Sequence, residues 1–99
     1  MEFEYDPKKS EANQQKHGIS FEEAKVLWSV PGITLMAKNQ DEVRFMRTGL
    51  IQERCFSCFF TMRDLKIRLI SVRRSREKEI MDYQRSVKIY EKKEEDHSG

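Results

Sequence analysis

Residues 67–83 read "IRLISVRRSREKEIMDY", and how this stretch is read decides the fold. It opens with the β-branched and aliphatic composition of a strand, gathers Arg73, Arg74 and Arg76, and then takes on helical spacing. Ile80, Tyr83, Val87 and Tyr90 recur at intervals of three, four and three, an apolar stripe that predicts a helix over 76–93. Ser75 is its expected N-cap, and Glu77 and Glu79 suit the positive end of its dipole. A strand that ends in arginines stops filling a core at that point and begins to hold charge.

Upstream, "ITLMA", "EVRFMRTG" and "ERCFSCFFT" share the strand composition and are separated by short polar breaks. Breaks of that length favour hairpins, so with the strand ending at Arg74 they predict a four-stranded antiparallel meander. The segment before them is helical. Asp6 as N-cap, Pro7 at the first position and Gly18 just past the end predict a helix over 7–17. Ser20 and Glu23 form an S-x-x-E capping box that opens a second helix, stopped by Pro31 and Gly32. The expected fold class is α+β: two N-terminal helices, a four-stranded antiparallel sheet and a C-terminal helix, with "EFEY" a candidate short edge strand. The helices should pack on one face and leave the other open. Residues 1–93 form one domain, and the charged tail 94–99 has nothing to bury and should fray.

Charged residues make up 36% of the 99 and hydrophobic ones 37%, so the core must be concentrated in a few segments. No apolar run reaches membrane-spanning length, and the acidic start "MEFEYDPKKS" lacks signal-peptide order, so a cytoplasmic location with no membrane contact is expected. Cys55 and Cys58 have CxxC spacing. Three residues apart in a strand, however, two side chains fall on opposite faces, and only His17 and His97 could complete a metal site. Neither a metal nor another cofactor is expected, and both thiols read as core fillers.

The charge is unevenly placed. Residues 43–85 hold 11 basic against 5 acidic groups, whereas residues 1–42 hold 5 against 8. Nine of those eleven cations are arginines: Arg44, Arg47, Arg54, Arg63, Arg68, Arg73, Arg74, Arg76 and Arg85. The planar fork of arginine suits phosphate, and the pattern favours a polyanionic partner. Strand parity puts Leu65, Ile67, Leu69, Ser71 and Arg73 on the core side of the last strand. Lys66, Arg68, Ile70, Val72 and Arg74 then share the open side, with Arg68 and Arg74 projecting into one groove. For any single arginine, covering a solvated edge or pairing with Glu77, Glu79 or Asp82 is a sufficient account. The group as a whole points to phosphate.

"FEYDPKKSEANQQKHGISFEEAKVLW" resembles the opening of BrnT-type toxins, F-E-W-D-P-x-K-x-x-x-N-x-x-K-H-G-V-S-F-E-E-A. "IRLISVRRSREKEIMDY" is similar to their closing I-R-I-I-S-A-R-R-A-x-x-x-E-x-x-x-Y, and Arg44 to Thr61 fits their central segment. The resemblance implies a bacterial type II toxin with a RelE-like fold, a metal-independent ribonuclease that inhibits translation. It also implies neutralisation by a ribbon-helix-helix antitoxin of the BrnA type, in a heterotetramer built on the antitoxin dimer. The family's strand-end arginines carry over onto Arg68, Arg73 and Arg74, and its K-H-G onto Lys16, His17 and Gly18. This chain departs at "TMRD", where the family has T-E-R-G and Met62 replaces an acidic group, and at "AKNQDE", which shortens the middle loop.

Metal-independent RNA cleavage needs the 2′-hydroxyl deprotonated, phosphorane charge stabilised and the leaving oxygen protonated. Arg68 and Arg74 are the expected charge stabilisers and Arg73 a phosphate binder. His17 and Glu79 are the candidate proton-transfer groups, although a cationic role at a helix C-terminus also accounts for His17. Lys66, Arg63, Arg54, Arg76 and Tyr83 are the expected RNA contacts. Tyr83 also belongs to the apolar stripe, and Phe56, Phe59 and Phe60 read as core more readily than as base-stacking platforms. Two other readings stay open: a toxin-fold partner with weak or no catalysis that acts with its antitoxin in autorepression, favoured by Met62, and a generic nucleic-acid binder.

Overall fold

The computed structural model describes residues 1–38 and 41–97. Its elements are β1 (Phe3–Glu4), α1 (Pro7–His17), α2 (Phe21–Ala24) running into a 3-10 turn (Lys25–Trp28), β2 (Gly32–Lys38), β3 (Val43–Ile51), β4 (Arg54–Arg63), β5 (Lys66–Arg74) and α3 (Glu77–His97). The described residues form a five-stranded sheet in the order β1-β5-β4-β3-β2. This corrects the expected four strands. Phe3 and Glu4 pair in parallel with Ile67 and Arg68, and Ile67 donates its N–H to the Glu2 carbonyl at 2.9 Å. The second helix is also shorter than expected, because its last turn tightens to 3-10 geometry before Pro31.

The expected caps of the two N-terminal helices are present. Asp6 accepts from the Lys8 N–H at 2.9 Å, and Ser20 and Glu23 complete their reciprocal box. Gly18 takes φ +74 and closes α1 on the Gln14 carbonyl at 2.8 Å. α1 itself buries only Ser10 and Asn13, so hydrogen bonds rather than an apolar face hold it in place. Asn13 Nδ2 donates to the Ile19 and Val72 carbonyls, both at 2.8 Å, and Asn13 Oδ1 accepts from the Val72 N–H at 3.1 Å. Because β1 pairs with β5 only at Ile67 and Arg68, Asn13 replaces a strand neighbour at Val72 and fixes α1 against the end of β5.

One face of the sheet packs on α1, α2 and the 3-10 turn around Ile19, Phe21, Ala24, Leu27, Cys58, Phe60, Ile67, Leu69 and Val72. Trp28 edges onto both Phe3 and Phe60, as a core anchor should. Arg47 is also structural, donating to the carbonyls of Leu27 and Val30 at 3.0 Å each and so satisfying the end of the turn. α3 crosses to the other face and lies against β2 and β3, with Tyr83 buried there. The expected open face is therefore partly covered, because the apolar stripe of α3 needs its own surface to bury and the first face is already full. α3 runs to His97 through a Glu- and Lys-rich segment without Gly or Pro. The Tyr90 side chain and residues 98–99 lie outside the described residues.

A bulge corrects the strand parity. Phe60 pairs with Leu69 and Phe59 with Ser71, leaving Ile70 extra. Every residue after it changes face. Val72, opposite Cys58, enters the core, Arg73 moves to the α3 face opposite Ser57, and Arg74 lies on the core face opposite Phe56. Arg68, opposite Thr61 before the bulge, keeps its expected side, so Arg68 and Arg74 do not share a groove.

Both long hairpins turn on non-glycine residues with positive φ: Gln52 (50°) and Glu53 (68°), then Asp64 (52°) and Leu65 (67°). Leu65 is 93% exposed and has no packing to offset that conformation. Leu65→Gly should stabilise the protein by about 1 kcal/mol, raising Tm by about 4–8 °C. A thermal melt checks this, and an unchanged or lower Tm would show the turn to be unstrained.

Candidate nucleic-acid interface

At the end of β5, Arg73 and Arg74 diverge. Arg73 Nη1 and Nη2 donate to Glu79 Oε1 and Oε2 at 2.8 and 2.9 Å, a two-pronged pair with side chains 20% and 14% exposed. Glu79 Oε1 also accepts from the Arg76 N–H at 2.9 Å and from Ser57 Oγ at 3.0 Å. Ser57 Oγ in turn lies 2.8 Å from Ser75 Oγ and 3.0 Å from Thr48 Oγ1. Burial alone would push the Glu79 carboxyl up, but the hydrogen bonds from Arg73, Arg76 and Ser57, with the Arg73 charge, outweigh it and hold the group at about 2. So low a value makes Glu79 a weak base at neutral pH. It secures Arg73 and the first turn of α3.

The Arg76 carbonyl accepts the first helical bond, from the Ile80 N–H at 3.0 Å, so Arg76 rather than Ser75 occupies the N-cap position. Ser75 instead turns its hydroxyl to Ser57. The Arg76 side chain is exposed.

Arg74 is exposed, its guanidinium 5.7 Å from the Phe56 ring centre, and among the described residues it makes no ion pair. Phe56 lines an open cleft of about 470 Å³ together with Gly18, Ile19, Glu23, Val26, Ile51, Gln52 and Arg54. His17, exposed, immediately precedes Gly18 at the mouth of this cleft. The K-H-G and R-R motifs, far apart in the chain, thus reach the same end of the molecule through the Asn13 clamp.

A second cleft, of about 360 Å³, lies toward the other end of β5. Lys9, Glu42, Arg44, Thr61, Met62, Arg63, Arg68 and Ile70 line it. Arg44 Nε donates to Glu42 Oε1 at 2.9 Å, and Arg68 Nη1 stands 3.4 Å from Glu4 Oε1. Lys66, at the start of β5, stands 3.7 Å from a Glu2 carboxylate oxygen. The expected site residues are therefore divided: Arg54, Arg74 and His17 around the first cleft, Arg63 and Arg68 in the second, Arg73 with Glu79 between elements, and Tyr83 inside. Lys9 and Arg44 were not singled out by sequence reasoning. Nothing in α1 marks Lys9, and Arg44 figures only as one of the nine arginines and as the start of the central segment of the resemblance. The CxxC thiols do lie on opposite faces, and burial pushes the Cys58 thiol up to about 12.

Together these features describe a small α+β domain with two arginine-bearing clefts. Residues 5–79 match the family model described as "Ribonuclease toxin, BrnT, of type II toxin-antitoxin system", and the chain belongs to that family. It is a ribonuclease toxin with an RNA substrate and an antitoxin partner. No curated protein matches the chain. The matched span includes the K-H-G at 16–18, Arg73 and Arg74, and ends on Glu79, the carboxylate that pairs with Arg73.

Proposed function

We propose that the toxin cuts RNA without a metal ion at the first cleft, with Arg74 and Arg54 stabilising phosphorane charge and His17 transferring a proton. One observation carries this reading: Arg74, free of any carboxylate among the described residues, stands over Phe56, which lines the cleft together with Arg54 and Gly18. Attack of the 2′-hydroxyl on the adjacent phosphorus moves negative charge onto the non-bridging oxygens, where fixed guanidinium groups act most strongly. His17 takes the 2′-hydroxyl proton as the O2′–P bond forms and returns it to the 5′-oxygen as the P–O5′ bond breaks, so the products are a 2′,3′-cyclic phosphate and a 5′-hydroxyl. Arg73, held by Glu79, keeps the strand end rigid so that Arg74 projects from a fixed base. We read the fold as RelE-like and the partner as a BrnA-type ribbon-helix-helix antitoxin. Its dimer would join two toxins in a heterotetramer in the cytoplasm and cover the basic end.

Purified toxin should cleave single-stranded RNA in excess EDTA and leave 2′,3′-cyclic phosphate ends. Cleavage that requires added Mg²⁺, or that leaves 3′-hydroxyl ends, rules the mechanism out. The exposed Met62, where the resemblance has an acidic group, favours the second reading, a non-cleaving partner in autorepression. That reading predicts no cleavage in the same assay and tighter operator binding by the complex than by antitoxin alone.

A further inference from the structure

We propose that the cleft formed by Lys9, Arg44, Arg63 and Arg68 is a separate phosphate-binding subsite that grips single-stranded RNA away from the point of cleavage. The inference rests on the reading that RNA is cut at the Arg74 end. Four cations from α1, β3, β4 and β5 line one opening of about 360 Å³. Two of them are paired with carboxylates: Arg44 hydrogen-bonds Glu42 at 2.9 Å, and Arg68 stands in a looser ion pair 3.4 Å from Glu4 Oε1, without a hydrogen bond to it. The first pairing orients a guanidinium, and both leave N–H groups for a ligand. Lys9 and Arg63 are exposed and, among the described residues, make no ion pair. The remaining lining is Glu42, whose charge is taken up by Arg44, with Thr61, Met62 and Ile70, too little apolar surface to anchor a protein segment, whereas a phosphate backbone needs only the cations.

The position also fits a strand of RNA. Arg68 is six residues before Arg74, at most roughly 20 Å along β5 at about 3.3 Å per residue, and the bulge at Ile70 puts the two on opposite faces. Between the clefts, on the same face as Arg68, lie Ser71 and Phe59, with the Arg73 guanidinium 5.2 Å from the Phe59 ring centre. A chain of several nucleotides is needed to reach from one cleft to the other, so the subsite makes recognition dependent on substrate length.

The test uses 2′-O-methyl oligoribonucleotides, which cannot be cut, so binding is read independently of cleavage. Anisotropy should show affinity rising with length from about three to about twelve nucleotides in the parent. Lys9→Ala with Arg63→Ala, both at exposed unpaired positions, should weaken the longest oligomer about tenfold. It should also reduce the salt slope by about 0.7 per lost contact. Arg85→Ala on the surface of α3 serves as the charge control and should leave both unchanged. An equal effect from Arg85→Ala would overturn the subsite in favour of a diffuse field, and so would an unaltered long oligomer. Loss of antitoxin affinity with RNA binding intact would make the cleft a protein-docking surface, again overturning the proposal. Parent protein that binds these oligomers with the expected length dependence but cuts no RNA would sink the cleavage reading and leave the subsite standing.

Discussion

Arg74→Ala should lower RNA cleavage by about 10²–10³-fold while the protein melts close to the parent temperature. The guanidinium is exposed and makes no ion pair among the described residues; it stands 5.7 Å from the Phe56 ring centre, a contact worth about 0.5–1 kcal/mol at an exposed site. Its removal leaves no buried charge without a partner. In the transition state, by contrast, the group faces developing charge, and loss of one such donor typically costs that much rate. Induced expression should agree: the parent arrests growth and degrades RNA, while the variant at equal abundance does neither. The neighbouring Arg73→Ala should behave in the opposite way, losing stability first because it strands Glu79. An Arg74→Ala protein that cuts RNA as fast as the parent would move the charge-stabilising role to the second cleft, where Arg68 lies.

Glu79→Gln should destabilise the protein by about 3 kcal/mol at pH 7 and remove much of its sensitivity to mild acid. The carboxyl is held at about 2, against an ordinary 4.5, and each unit corresponds to about 1.4 kcal/mol. A depressed folded-state value gives stability that is complete above the unfolded value and lost as pH falls through the folded one. The parent should therefore weaken from about pH 5 down toward pH 2, whereas the variant, lacking that titration, should change less. Urea unfolding at several pH values in this window reads the difference directly. Parallel stability curves would mean that the Arg73 pair contributes nothing through its charge, and a gap that widens in acid would reverse the sign of the coupling.

Much of the local structure was legible because its causes are local. Asp6, Pro7 and Gly18 bound α1 within its own sequence, and Ser20 with Glu23 opens α2 by two hydrogen bonds three residues apart. The strands of the meander follow from composition and short breaks. The fifth strand was harder to see, since Phe3 and Glu4 have too few residues to show a period and are strand only because β5 is beside them. The division of the arginines was not legible. "LISV" supports two parities equally, and the register against β4 decides between them by leaving Ile70 unpaired.

The sequence by itself determined the elements with their own caps and periods, the concentration of arginine in residues 43–85, and the two motifs that mark the family. Those rest on interactions within a few residues, or on composition, and need no partner. The tertiary structure decided which arginine does what. A single extra residue in β5 reverses every side chain after it, and α3 must cover the second face because the first is filled. Adjacent residues with the same chemistry therefore differ in function: Arg73 is turned inward and neutralised by Glu79, and Arg74 is left over Phe56 with its charge available.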